Sequence, residues 1–291
     1  MRRRVPLVLL VALAFVAVGC DLRLAAPSGT TPLRYRDAVF TTVTTTSNIV
    51  YGSAVDQTGV TVSLTLDAYR PAGDTITKRP AIVWVHGGSF SSGDKTSGEL
   101  VDEATTFAKK GYVNVSINYR LSTGCSASGA TAACVTSIVD AKHDAQAAVR
   151  FLRANATTYG VDPDRIAIGG TSAGAITAMN VGFDPTDPGT SGNPGYSSAV
   201  RSAVSLSGAA VIAVPSAGDA PSLLFHGTAD PLVSYQWAVN TQTNAQAAGL
   251  TSELTTWDGA GHVPYVEHRT EILDQTTNFL YWTMDLTHAA R

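Results

Sequence analysis

Five short, largely apolar runs recur between longer segments of helical composition, and this alternation restricts the fold more than any other feature. The runs are Ala81-Ile82-Val83-Trp84-Val85, Val113 to Ile117, Ile166 to Ile168, Ala203 to Leu206 and Leu223-Leu224-Phe225. A strand with one face in water alternates apolar and polar residues, whereas a continuous apolar run belongs to a strand covered on both faces. The cover comes from helical segments at Glu99 to Lys110, Val139 to Tyr159, Ala173 to Val181, Tyr235 to Ala248 and Val266 to Leu286. Before them, Val39 to Val55 is rich in Thr and Val, and Val60 to Ala68 alternates cleanly, as in a half-exposed antiparallel hairpin. The pattern predicts one α/β domain over residues 36–291: a mostly parallel, doubly wound sheet with antiparallel N-terminal strands. No internal repeat or second core is visible.

Composition narrows the function class. The 291 residues are 44% hydrophobic and 15% charged, which suits a globular chain with a sizeable core. A net charge of −3 offers no electrostatic case for nucleic acid or an anionic membrane surface. The N-terminus reads as a targeting segment. Arg2, Arg3 and Arg4 precede an apolar stretch from Pro6 to Val18, and Ala17-Val18-Gly19 leads into Cys20. Thirteen apolar residues fall short of the roughly 20 needed to cross a bilayer. The arrangement resembles a bacterial lipoprotein signal over 1–20, with Cys20 as the lipidated residue, although Ala17 stands where that family usually has Leu. Plain secretion with cleavage elsewhere is the alternative, and a linker follows over 21–35. Assigning Cys20 to lipid leaves Cys125 and Cys134 of the three cysteines. They bracket the small-residue stretch Ser126 to Ala133. In an exported protein they read as a disulfide, with two free thiols as the alternative. No Cys/His cluster has metal-ligand spacing.

In an open α/β sheet, ligands bind outside the carboxyl ends of the strands, so the residues at each strand's exit carry the chemistry. Ala81–Val85 exits into His86-Gly87-Gly88-Ser89, and Ile166–Ile168 into Gly170-Thr171-Ser172-Ala173-Gly174. Leu223–Phe225 exits into a stretch containing Asp230, and a last strand near Glu253 to Trp257 into Asp258-Gly259-Ala260-Gly261-His262. A serine on a turn tight enough to need glycine two residues away on either side is lifted above the sheet edge. Ser172 is the candidate nucleophile, His262 its base, and Asp230 the acid that orients and stabilises the imidazolium. Gly87, Gly88 and Ser89, with Ala173 at the start of its helix, are candidate backbone donors for an oxyanion. His86 and His226 read as structural histidines. His143, His268 and His288 lie in or near helices away from the site, and Asp258 is a weaker candidate for the acid because it would crowd His262.

Together, His-Gly-Gly-x, Gly-x-Ser-x-Gly, Asn118-Tyr119-Arg120-Leu121 and Tyr159 to Ile166 resemble the carboxylesterase/lipase group of α/β-hydrolases. The similarity is nearest to small secreted bacterial esterases such as feruloyl and acetyl-xylan esterases. The chain order Ser172, Asp230, His262 is that group's order. Ser89 replaces a third glycine found in many relatives, which bears on acyl-group preference. The resemblance implies a serine ester hydrolase working through an acyl-enzyme on short-chain or carbohydrate-linked esters, with no cofactor or metal. A peptidase of the same fold and an inactive surface-binding homologue are the alternatives. The expected location is the cell envelope or the exterior.

Overall fold

The computed structural model describes residues 23–122, 125 and 131–288. The signal segment and Cys20 lie outside the described residues, as does most of the stretch between the paired cysteines. A single eight-stranded sheet forms the centre, in the order β1-β2-β4-β3-β5-β6-β7-β8. Strands β1 (Val43–Val55) and β2 (Thr61–Pro71) make the expected hairpin, and β2 runs antiparallel to β4 (Val113–Ile117). The other pairings, through β3 (Arg79–Val85), β5 (Val161–Thr171), β6 (Ser202–Leu206), β7 (Ser222–Gly227) and β8 (Ser252–Trp257), are parallel. This is the α/β-hydrolase fold.

Helices cover both faces. Buried residues of α2 (Ala132–Ala154), α4 (Ala173–Phe183) and α5 (Tyr235–Ala247) share one core with Val83, Val115 and Ile168. Those of α1 (Gly98–Lys110) and α6 (Tyr265–Thr283) share the other with Ile82, Trp84 and Phe225. Alternate residues of one strand therefore feed opposite cores, which is why β3 is buried at every position. Every residue of α4 is buried as well, and its amide side chain, Asn180, accepts the Ile212 and Ala213 N–H groups at 3.0 and 2.8 Å.

Several boundaries differ from the sequence reading, among them the start of the first strand at Val43 and the end of the last helix at Thr283. The helix expected from Val139 begins earlier, at Ala132, capped by Thr131, whose side chain accepts the Cys134 N–H. It also stops at Asn155 before a short α3 (Ala156–Tyr159). Strand β5 starts at Val161, with extra residues around Pro163 accommodated by a register shift against β3. The stretch expected as a linker, 21–35, lies against the domain over its described part. Tyr35 is 2% exposed, and Leu24 and Leu33 pack on the core formed with α1 and α6.

Candidate active site

The turn from β5 into α4 is built by what it lacks. A Cβ on Gly174 or Gly170 would run into the Val85 carbonyl oxygen, so neither position accepts a side chain. Between them Ser172 takes φ 53°, a conformation that non-glycine residues rarely adopt. The strain is held from both sides, because the Ser172 N–H donates to Leu206 O at 2.9 Å and its carbonyl accepts from the Ile176 N–H at 2.9 Å.

From that turn, Ser172 Oγ lies 2.8 Å from His262 Nε2, and His262 Nδ1 lies 2.7 Å from Asp230 Oδ2. Ionised Asp230 can only accept, so the proton sits on Nδ1 and leaves Nε2 free to accept the serine hydroxyl proton. Asp230 has a fully buried side chain. Burial opposes its ionisation, but hydrogen bonds from His226, His262, and the Val233 and Leu232 N–H groups outweigh that and hold its pKa well below the usual carboxylate range. The two N–H groups reach Oδ1 at 3.0 and 2.9 Å, and His226 Nε2 reaches Oδ2 at 3.2 Å. His226 also donates from Nε2 to Val233 O at 2.9 Å, so one buried imidazole ties the carboxylate to its own loop.

Two loops position His262. The Ala229 N–H donates to Ala260 O at 3.0 Å, and the Val263 N–H donates to Ser207 Oγ at 3.0 Å. Asp258, the alternative acid, instead accepts from the Thr228 hydroxyl at 3.1 Å. The remaining histidines lie elsewhere. His143 meets Asp187, His268 stacks on Trp257 at 4.0 Å, and His288 meets Asp285.

The loop after β3 lies directly against the serine. A Cβ on Gly87 would stand 3.2 Å from Ser172 Cβ, tight enough that a side chain there would press on the serine. Gly88, Ser89 and Phe90 follow with φ of 111°, 54° and 61°. Among the described residues no acceptor takes the N–H of Gly88, Ser89 or Ala173, the last being the first residue of α4. Tyr119 braces this loop from behind. Its ring stacks on His86 at 4.4 Å, and its hydroxyl donates to His86 O at 3.2 Å. Burial raises the Tyr119 pKa, so it stays a donor, and burial lowers that of His86, which stays neutral and donates from Nδ1 to Gly87 O at 2.7 Å.

Over Ser172 opens a cavity of about 370 Å³ whose lining includes Gly88, Ser89, Ser97, Glu99, Leu232 and His262. The sequence reading brought Ser172, Asp230, His262 and the Gly87–Ser89 loop to one place, and they meet there. It did not find Glu99, the bracing role of Tyr119 or the second histidine on Asp230. Glu99 and Tyr119 reach the site across sequence separations that no local motif encodes, whereas His226, four residues before Asp230, read only as a structural histidine. Cys125 and Cys134 are joined, with their Cα atoms 4.2 Å apart.

Comparison with known proteins agrees with this architecture. Phenmedipham hydrolase of Pseudarthrobacter oxydans is 38% identical over 126 residues, covering 42% of this chain and 23% of that protein. Carboxylesterase 3B of Mus musculus is 33% identical over 139 residues, covering 43% and 21%. The matches thus span about a fifth of the length of these curated relatives. Among solved structures, esterase 2 of Thermogutta terrifontis with butyrate bound superposes with a TM-score of 0.68 at 24% identity, covering 80% of this chain and 92% of that one, a likeness of fold. The model of a TAP-like protein family matches residues 195–282. The BD-FAE family model matches residues 66–215, just over half of the sequence and the part that carries the Gly87–Ser89 loop and Ser172. The chain belongs to the BD-FAE family.

Proposed function

We propose that this protein is a serine carboxylic-ester hydrolase that works through an acyl-enzyme. The observation that carries the reading is the unbroken relay from Ser172 Oγ through His262 to buried, ionised Asp230. In the first step Ser172 Oγ attacks the ester carbonyl while its proton passes to His262 Nε2. The charge that develops on the carbonyl oxygen faces the free N–H groups of Gly88, Ser89 and Ala173. Each donor of this kind is worth on the order of 100- to 1000-fold in turnover. His262 then returns the proton to the leaving alcohol, and water activated by the same nitrogen releases the acid. The imidazolium formed on the way is stabilised by Asp230, which stays ionised throughout.

Supporting the substrate range are a cavity of about 370 Å³ and a lining of glycine and hydroxyl side chains, which suit short acyl groups or sugar esters. The Cys125–Cys134 bond supports an exported setting. A lipid anchor at Cys20 completes the proposal and is tested by the mass of the N-terminal peptide from native membranes. The central test is Ser172→Ala, which is expected to lower p-nitrophenyl acetate hydrolysis by about 10⁴-fold or more and to abolish labelling by a fluorophosphonate. Undiminished hydrolysis in that variant would sink the assignment.

A further inference from the structure

Among the described residues, the cavity over Ser172 is lined by one acidic side chain, Glu99, and by no lysine or arginine. Glu99 stands in the first turn of α1, where a helix N-terminus favours negative charge. Its Oε1 accepts from Thr171 Oγ1 at 3.3 Å, so it is fastened to the residue that precedes the nucleophile. Nearby groups do not neutralise it. Arg269 is spent on Asp102, and Glu103, one turn further along α1, is buried with one carboxyl oxygen that finds no partner among the described residues. Burial and the neighbouring Glu99 and Asp102 push the Glu103 carboxyl well above its usual range, which favours its neutral form, and a carboxyl in either form offers Glu99 no positive partner. A carboxylate here opposes the oxyanion formed in every turnover, which makes it costly unless it acts on what enters the cavity.

We propose that Glu99 selects substrates by charge, an inference that rests on Ser172 being the nucleophile. Esters that carry a second negative charge near the scissile carbonyl are rejected, and those that carry an ammonium group or a hydroxyl donor there are favoured. In a partly buried site with an effective dielectric of about 20, like charges a few ångströms apart shift binding by tenfold or more.

The test uses three p-nitrophenyl esters of matched length: valerate, the monoester of glutarate, and 5-(trimethylammonio)pentanoate, each with its uncatalysed rate subtracted. Wild-type kcat/KM is expected to fall at least about tenfold from valerate to the glutarate monoester, and Glu99→Gln to narrow that gap at least about fivefold. A ratio unchanged within twofold in Glu99→Gln overturns the proposal. So does an equal loss of kcat on all three esters, which would mean that Glu99 acts on His262 alone. Should the variant fail to fold, wild-type inhibition decides. Pentyltrimethylammonium is expected to compete with p-nitrophenyl valerate at least about tenfold more tightly than free valerate, and equal inhibition constants overturn the proposal. Hydrolysis that survives in Ser172→Ala removes the nucleophile assignment and this inference together. Ser172-dependent hydrolysis without charge selection removes only the inference.

Discussion

Asp230 collects four hydrogen bonds from its own loop, the preceding strand and the loop that bears His262. Two of them come from backbone N–H groups and survive replacement by asparagine, which keeps an acceptor oxygen. What Asp230→Asn removes is the charge that fixes the His262 tautomer. The variant should therefore fold and lose roughly 10³- to 10⁴-fold in kcat, as a serine hydrolase does when its imidazole is left in the wrong tautomer. Comparing kcat with circular dichroism of the same sample checks this, and a loss below tenfold would remove Asp230 from the relay. The same residue bears on acid stability. Its carboxylate is more easily ionised in the folded chain than in the unfolded one, so its contribution is complete above about pH 4 and fades as pH falls through the depressed value. Asp94 acts in the same direction. Burial raises its pKa, but the Thr96 hydroxyl and N–H and the Asn118 amide bring it down to about 2. Thermal melts should lose stability progressively between about pH 4 and about pH 2, and Asp94→Asn should flatten that slope. Equal slopes in the two proteins would exclude Asp94 as a contributor.

Among the elements, α2 carries the expected disulfide and α1 a buried acid, Glu103, that the sequence reading did not single out. The Cys125–Cys134 bond fastens the first turn of α2 to the chain nine residues earlier. Closing a loop of that size is worth up to about 2–3 kcal/mol through restriction of the unfolded chain. Reduction should lower the melting temperature by several degrees in calorimetry with and without reductant, and an unchanged transition would show that the bond contributes nothing. In α1, Glu103 favours its protonated form when folded, so stability drains away as pH rises above the usual glutamate range. Glu103→Gln removes that titration, and its melting temperature should overtake that of wild type toward pH 9. These elements also show what the sequence can carry. The five apolar runs placed the strands because burial on both faces leaves no polar alternation, and Gly170 and Gly174 marked the turn because side chains there would strike Val85 O. Ala132 to Ile138 escaped notice because its Ala, Ser and Thr dilute the apolar positions Cys134 and Ile138, which are buried in the core. Thr131 caps its start, and the disulfide ties Cys134 to Cys125. The strand before Ile166 was hidden by Pro163, which only a register shift against β3 accommodates. Glu99 was readable as a helix start, but its nearness to Ser172 arises only when β3 and β5 pair.

At the scale of the whole molecule, the two edges of the sheet are used differently. The candidate active site occupies the carboxyl ends of β3, β5, β7 and β8, while the segment from residue 23 to 40 straps the opposite edge. The Tyr35 and Phe40 N–H groups donate to the carbonyls of Lys110 and Lys109, just before β4. Arg34 pairs with Asp74, which also accepts from Arg79 Nε at 2.6 Å at the start of β3. Further along the edge, the Leu24 N–H reaches Glu253 near the start of β8, and Trp282 donates to Ala25 O. None of these contacts involves a residue that lines the cavity over Ser172. The strap should therefore stabilise the fold without tuning the chemistry. A chain beginning at residue 38 loses Tyr35, which is 2% exposed and packed edge-on against Tyr112. Removing a buried aromatic side chain costs about 3 kcal/mol or more, which for a domain of this size lowers the melting temperature by at least about 5 °C. Against a chain beginning at residue 23, the shorter protein should unfold earlier by that margin, yet hydrolyse p-nitrophenyl acetate with the same kcat/KM well below the transition. A truncated protein that melts normally but has lost activity would mean that the strap communicates with Ser172, and the division between a stabilising edge and a catalytic edge would not hold.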